Sequence, residues 1–329
     1  MSHDGDKSTN DNENNDFDII NQLKKQVSDV FIGQEQVVDQ VLIAMLSAGH
    51  ILIEGVPGLG KTLLVRLLAK TINGEYARVQ FTPDLMPSDI TGHVMFDNES
   101  NKFRIRRGPV FTNLLLADEI NRAPAKTQSA LLEVMQEHQV TLEGKSLSVP
   151  EPYLVMATQN PLEHEGTYPL PEAQLDRFIM KIKIDYPQVD EEHALIKAVT
   201  SNQVGDQFSI DDVTQCFTTD DIVRLQKQVS TVSIDDEVSA YAVSIVRQTR
   251  DWSGISNGAG PRGGIALVRC ARARAFMQGR DFVIPDDIKK VALAVLRHRI
   301  ILSPEMELEG MDVDRVIEAI LETVAAPRK

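Results

Sequence analysis

Two hydrophobic rhythms divide the chain. In the first half, short runs that are apolar almost throughout stand at 51–54, 77–81, 114–118, 153–158 and 178–184, each bounded by polar turns, and they read as strands. Helical spacing covers 61–72 and 126–137 between them. Strands of this kind, separated by helices, predict an α/β domain with a parallel sheet buried on both faces. After Tyr186-Pro187 the rhythm changes, and from Asp190 onward only helical periodicity remains, at 191–200, 219–228, 235–250, 263–278, 285–297 and 314–324. Ser233 ahead of Asp235-Asp236-Glu237, and Pro285 followed by Asp286-Asp287, have the form of helix starts. The expected organisation is an α/β core over 17–187 and a small all-α domain over 188–329, with no internal repeat.

Two stretches alternate as hairpins do, one from Asp89 to Phe96 and back through Phe103 to Gly108, the other from Gln139 to Val149 around Gly144. Each either projects towards a partner or is a solvated decoration. Residues 1–16 contain almost nothing apolar, so this acidic tail is expected to be disordered: it cannot bury enough surface to offset the entropy of ordering.

Chemistry enters at Gly55-Val56-Pro57-Gly58-Leu59-Gly60-Lys61-Thr62, which satisfies G-x-x-x-x-G-K-[ST]. It follows the run at 51–54 and precedes a helix opening on Leu63, the strand, loop, helix context the motif needs. The glycines let successive N–H groups turn inward around phosphates while the helix offers its positive end. Lys61 is placed to reach the β- and γ-phosphates, and the Thr62 hydroxyl to ligate Mg²⁺. A dinucleotide fingerprint is excluded, because Leu63 stands where a third glycine should fall. ATP and Mg²⁺ are therefore the expected ligands.

Leu114-Leu115-Leu116-Ala117-Asp118-Glu119 is a strand ending in two carboxylates at the edge of the sheet where ligands of open α/β folds sit. Alternation lets the two acids point different ways, Asp118 to the metal and Glu119 to the attacking water as general base. A further strand ends in Thr158-Gln159-Asn160-Pro161. If it lies between the other two, Asn160, preferred over Gln159, holds the lytic water or a γ-phosphate oxygen; the alternative is a turn amide before Pro161.

Composition narrows the setting. A hydrophobic share of 42% over 329 residues suits a chain that buries its own core. Cys216 and Cys270 are far apart and outside any metal or redox spacing, which fits a reducing compartment. With no spanning apolar run and no secretory leader, a cytoplasmic location is expected. The net charge of −14 argues against nucleic acid as the main partner, although Lys102, Arg104, Arg106 and Arg107 concentrate positive charge on the first hairpin.

Three segments carry a resemblance. Leu116 to Pro124 (Leu-Ala-Asp-Glu-Ile-Asn-Arg-Ala-Pro), Ala157 to Pro161, and Glu165 to Phe178, the last ending in Asp176-Arg177-Phe178, together resemble the MoxR family of AAA+ ATPases, with similarity from about Phe31 to the C-terminal helices. The resemblance implies a homo-oligomeric ring, usually a hexamer, with ATP between subunits and a chaperone-like task on protein clients, often beside proteins with a von Willebrand factor A domain. It implies that Arg177 is an arginine finger reaching a neighbour's γ-phosphate, where a guanidinium offsets transition-state charge. Gly260-Pro261-Arg262-Gly263-Gly264 resembles the sensor-2 element, with Arg262 on the γ-phosphate of its own or the adjacent nucleotide. Ile32-Gly33-Gln34 resembles the adenine-side segment. Asn121 and Arg122 either relay occupancy across the interface or, for Arg122, form an ordinary interface ion pair.

Other signals fail on context. Gly254-Ile255-Ser256-Asn257-Gly258 fits G-x-S-x-G but lacks the strand-to-helix elbow and reads as a flexible loop. His164-Glu165 begins H-E-x-x-H, yet the fifth position is Tyr168. Arg269, Arg272, Arg274 and Arg280 read as a solvated or interface face of a helix. The expected function is an ATP-hydrolysing, ring-forming AAA+ remodelling protein. Two other classes share its parts, a DNA-dependent motor or loader and a chelatase-type ATPase subunit.

Overall fold

The apolar runs of the first half assemble as the centre of a five-stranded parallel sheet. The structure, a computed structural model, describes residues 7–56, 58–99, 101–160, 166–200, 210 and 213–327. Pro57, Pro161, His164, Glu165 and the first six residues of the acidic tail lie outside the described residues.

In chain order the core carries α1 (Lys7–Val30), α2 (Glu35–Leu46), β1 (Ile51–Glu54), α3 (Lys61–Thr71), β2 (Tyr76–Gln80) and α4 (Pro87–Thr91). Next come the hairpin β3 (Gly92–Asp97) and β4 (Lys102–Arg107), then β5 (Leu114–Asp118) and α5 (Ala125–Glu137). A second hairpin, β6 (Gln139–Leu142) and β7 (Lys145–Ser148), leads to β8 (Leu154–Gln159), α6 (Glu172–Leu175) and β9 (Met180–Lys183). The C-terminal part holds α7 (Val189–Thr200), α8 (Thr219–Thr231), α9 (Asp236–Asp251), β10 (Ile255–Asn257), α10 (Pro261–Met277), α11 (Pro285–Leu296), β11 (Ile301–Leu302), α12 (Pro304–Leu308) and α13 (Val313–Thr323).

The sheet order is β2-β5-β8-β1-β9. Alternate side chains of its central strands feed two cores. Ile51, Ile53, Leu114, Leu116, Leu154 and Met156 enter one, while Leu52, Leu115, Ala117, Val155 and Ala157 enter the other. Burial on both faces is why these strands read as unbroken apolar runs. The first core continues without interruption into the helical region, through Leu267, Ile288, Val295 and Ile317. The C-terminal helices thus sit directly on α2 and β9, and hydrophobic packing joins them to the nucleotide-type core.

Several expectations need correction. Helix α1 runs back through residues 7–16, which were expected to be disordered: Ile20, Leu23 and Val27 bury one stripe, and a helix once nucleated propagates at the cost of fixing one residue per bond. The α9 cap is Asp235, which accepts the Glu237 N–H at 2.9 Å; Ser233 instead donates to the Asp281 carbonyl at 3.0 Å. The stretch around Ser256 is no flexible loop, since β10 pairs antiparallel with β11 and the Ser256 hydroxyl reaches the Ile301 and Leu302 carbonyls. The arginines on and just after α10 are tied to neighbouring elements of the same chain: Arg269, itself exposed, donates to the Ala48 carbonyl, Arg272 to that of Ser230, and Arg274 and Arg280 pair with the buried Asp287. Among the described residues no helix is long and apolar enough to cross a membrane.

Candidate active site

The loop after β1 is shaped by what its neighbours leave no room for. A Cβ on Gly55 would lie 2.7 Å from the Ile184 carbonyl oxygen, so only glycine lets the chain leave the strand there. Gly58 and Gly60 take φ of +89° and +76°, and Gly60 caps α3 in the left-handed region. A Cβ on Gly60 would meet the Phe31 ring at 2.9 Å, whereas one on Gly58 would meet nothing within 4 Å. The loop is closed towards the protein and open on its outer side.

Lys61 and Thr62 open the first turn of α3, and Leu59 and Leu63 anchor the loop against the hydrophobic core. The Lys61 Nζ donates to the Gly55 carbonyl of its own loop. Burial lowers the pKa of this ammonium, against the opposing pull of Asp118 and Glu119. A half-buried cation beside two acids, in a glycine loop with an open side at a helix N-terminus, fits a phosphate chain with a divalent cation.

Asp118 ends β5, and Glu119 leaves it with φ +55° and ψ +51°. The two carboxylates diverge because of this left-handed step, not through strand alternation as expected. A tight network fixes them. The Thr158 hydroxyl donates to Asp118 Oδ1 at 2.6 Å and accepts the Glu119 N–H at 2.9 Å. Arg78 pairs with Asp118 Oδ2 at 2.6 Å, Gln80 donates to Glu119 Oε2 at 2.8 Å, and Arg122 approaches the same oxygen at 3.2 Å. Within its own chain Arg122 thus pairs with Glu119.

Sequence reasoning missed Arg78, Gln80 and Thr158. Each becomes legible only with the strand order, since β2 and β8 flank β5 and Gln80 pairs in register with Asp118. Asn160 follows β8, which does lie between the loop strand and the acidic strand. The register of Glu54 with Gln159 sets Asn160 level with Gly55.

The 31–34 segment adjoins this site through Phe31. Gly33 has φ +78°, and a Cβ there would stand 2.8 Å from that of Glu191. Gln34 donates to the Asp185 carbonyl at 2.9 Å, on the wall of a cavity of about 470 Å³ that Val37, Lys183 and Tyr186 also line.

Arg177 and Arg262 lie elsewhere. They share a cavity of about 370 Å³ with Asp176, His50, Ile179 and Arg269. His50 precedes β1, and Ile179 precedes β9 and donates to the His50 carbonyl at 2.8 Å, so this cavity is at the N-terminal edge of the sheet. Lys61, Asp118, Glu119 and Asn160 are at the C-terminal edge, and the four residues of β1 between the edges span about 13 Å. The Arg177 guanidinium donates to the Leu132 carbonyl at 2.7 Å, and Arg262 stands 3.9 Å from Asp176 Oδ2. No single copy brings these arginines to its own loop.

The family of ATPases associated with various cellular activities (AAA) matches residues 50–180, and the AAA lid domain matches residues 247–320. The chain is 43% identical to Chaperone MoxR1 of Mycobacterium tuberculosis over 92% of its own length and 81% of that protein. It is 30% identical to Protein MoxR of Methylorubrum extorquens over 94% of the chain and 96% of that protein. A crystal structure assigned as an ATPase, from Cytophaga hutchinsonii, superposes with a TM-score of 0.90 at 41% identity, covering 98% of this chain and 99% of the other.

Proposed function

The chain belongs to the MoxR family of AAA+ ATPases, and from that premise we propose that it works as a ring of identical subunits, each ATP held by the loop and acids of one copy and completed by Arg177 and Arg262 of the next. The observation that carries this reading is the separation of the two arginines from Lys61 by the depth of the sheet. Their shared cavity supports Arg262 serving the neighbour's nucleotide rather than its own.

Within one subunit the loop N–H groups and Lys61 hold the phosphates, and the 31–34 segment packs on the adenine side. Thr62 and Asp118 would hold Mg²⁺, which when bound neutralises phosphate charge. Glu119 takes the proton of the attacking water, its carboxylate steadied by Gln80 and Arg122. Asn160 orients that water from the tip of β8. Arg177 and Arg262 of the adjacent subunit stabilise charge on the transferring group, a contribution on the order of 10³-fold or more for such a guanidinium.

The work done with this energy is chaperone-like remodelling of protein partners in the cytoplasm, among them proteins with a von Willebrand factor A domain. The first hairpin is suited to touch them: Phe103 is 76% exposed and packs edge-on against Phe96 at 5.2 Å, beside Arg104 and Arg106.

Mixing mutant subunits tests the shared site. Arg177→Ala and Glu119→Gln are each expected to bind ATP and to be inactive alone, and together to regain activity, because one supplies the acid and the other the guanidinium. Absence of any regain at concentrations where mixed rings form would refute the arrangement.

A further inference from the structure

Arg299 lies between α11 and β11 in the lid, and its side chain is 3% exposed. It reaches across to the segment that carries Arg177. Its Nε donates to Asp176 Oδ1 at 2.7 Å, and its two terminal nitrogens reach the carbonyls of Asp176 at 3.3 Å, Phe178 at 2.6 Å and Ile179 at 3.3 Å, as well as that of Val295 in the last turn of α11. One buried guanidinium thus clamps the chain on both sides of Arg177. His298 adds a contact from its Nε2 to the Phe178 carbonyl at 3.0 Å.

The other carboxylate oxygen of Asp176 faces outward, towards Arg262 at 3.9 Å. Asp176 therefore divides its charge between a buried arginine of the lid and an exposed one. Of the two arginines assigned to the neighbouring nucleotide, one is adjacent to Asp176 in sequence and the other stands 3.9 Å from its carboxylate. A planar guanidinium with five donors suits this many acceptors spread around one turn, which a lysine's single ammonium does not.

We infer that Asp176 and Arg299 form a positioning pair that sets Arg177 and Arg262 for the adjacent subunit's nucleotide, so that the seating of one lid governs hydrolysis next door. The inference rests on the shared-site reading above. Neither residue touches the reacting atoms. Their effect passes through the direction of the two arginines, and a subunit lacking the pair should keep its own loop and acids in order.

The test compares full-length Asp176→Asn and Arg299→Lys with Arg177→Ala, each alone and each mixed with Glu119→Gln. For the positioning variants the expected result is an ATP dissociation constant within about twofold of wild type and a kcat at least tenfold lower. In an equimolar mixture the activity should return to about a quarter of the wild-type value per subunit, since half the acids are intact and half of those face an intact neighbour. A disrupted fold would lower ATP affinity and would not be rescued in mixtures. The inference is overturned if either variant alone keeps wild-type kcat, or if its mixture stays silent while that of Arg177→Ala regains activity. If the Arg177→Ala mixture is silent as well, the shared site fails and the positioning pair with it.

Discussion

The hydroxyl of Thr158 stands 2.6 Å from Asp118 Oδ1 and 2.9 Å from the backbone nitrogen of Glu119, so one side chain on β8 fixes both acids at the end of β5. It donates to the first and accepts from the second. Thr158→Val keeps the shape and removes both bonds. A hydrogen bond to a charged group contributes about 1.5–3 kcal/mol, so kcat should fall at least tenfold with little change in ATP affinity. Thr158→Ser should retain most of the rate. Steady-state ATPase measurements on the two variants check this, and an unchanged rate in Thr158→Val would show that the acids hold their places without it.

Gly60 combines a φ of +76° with a phenyl ring where its Cβ would stand. Gly60→Ala is expected to weaken ATP binding at least tenfold, because a left-handed alanine costs about 1–2 kcal/mol before the Phe31 contact is counted. Adding Phe31→Ala removes the clash and leaves the φ strain, so the double variant should recover only part of the loss. Isothermal titration with ATP separates the two causes, and full recovery in the double variant would assign the whole effect to the ring.

His50 accepts the Val155 N–H at Nδ1 and donates from Nε2 to the Met135 carbonyl, both at 3.0 Å. A second ring proton would point at the Val155 N–H, and burial brings the pKa down to about 4 from the usual 6.5. Below pH 6.5 the unfolded chain takes up a proton that the folded chain refuses, so this contribution to stability is full above pH 6.5 and is lost as pH falls towards 4. The loss is on the order of 3 kcal/mol. His298, buried and held well below its ordinary value first by burial and then by Arg299, acts in the same direction. Denaturant midpoints at pH 7 and pH 5 should differ less in His50→Asn than in wild type, and equal differences would remove His50 as a cause.

The centre of the fold was legible because β1, β5 and β8 are buried on both faces, which forces their sequences to be apolar without interruption. Helix α1 was not, because Ile20, Leu23 and Val27 are a thin stripe in a segment of Asn, Asp, Gln and Lys. Lys61, Asp118 and Glu119 were readable from motifs local in the chain. Arg78, Gln80 and Thr158 act only through strand adjacency, and nothing near them in sequence records that β2 and β8 flank β5. Arg299 illustrates the same limit, since it meets Asp176 across 123 positions and reads in isolation as an ordinary arginine after a helix.

Assembly is the most direct test of a site divided between copies. Specific ATPase activity should be measured against protein concentration at saturating ATP, with the mass of the particles followed in the same samples. Activity should rise with the fraction assembled and approach zero in dilute monomer, while Arg177→Ala assembles and stays inactive throughout. A monomer that turns over ATP at the full rate of the assembled protein would contradict the account.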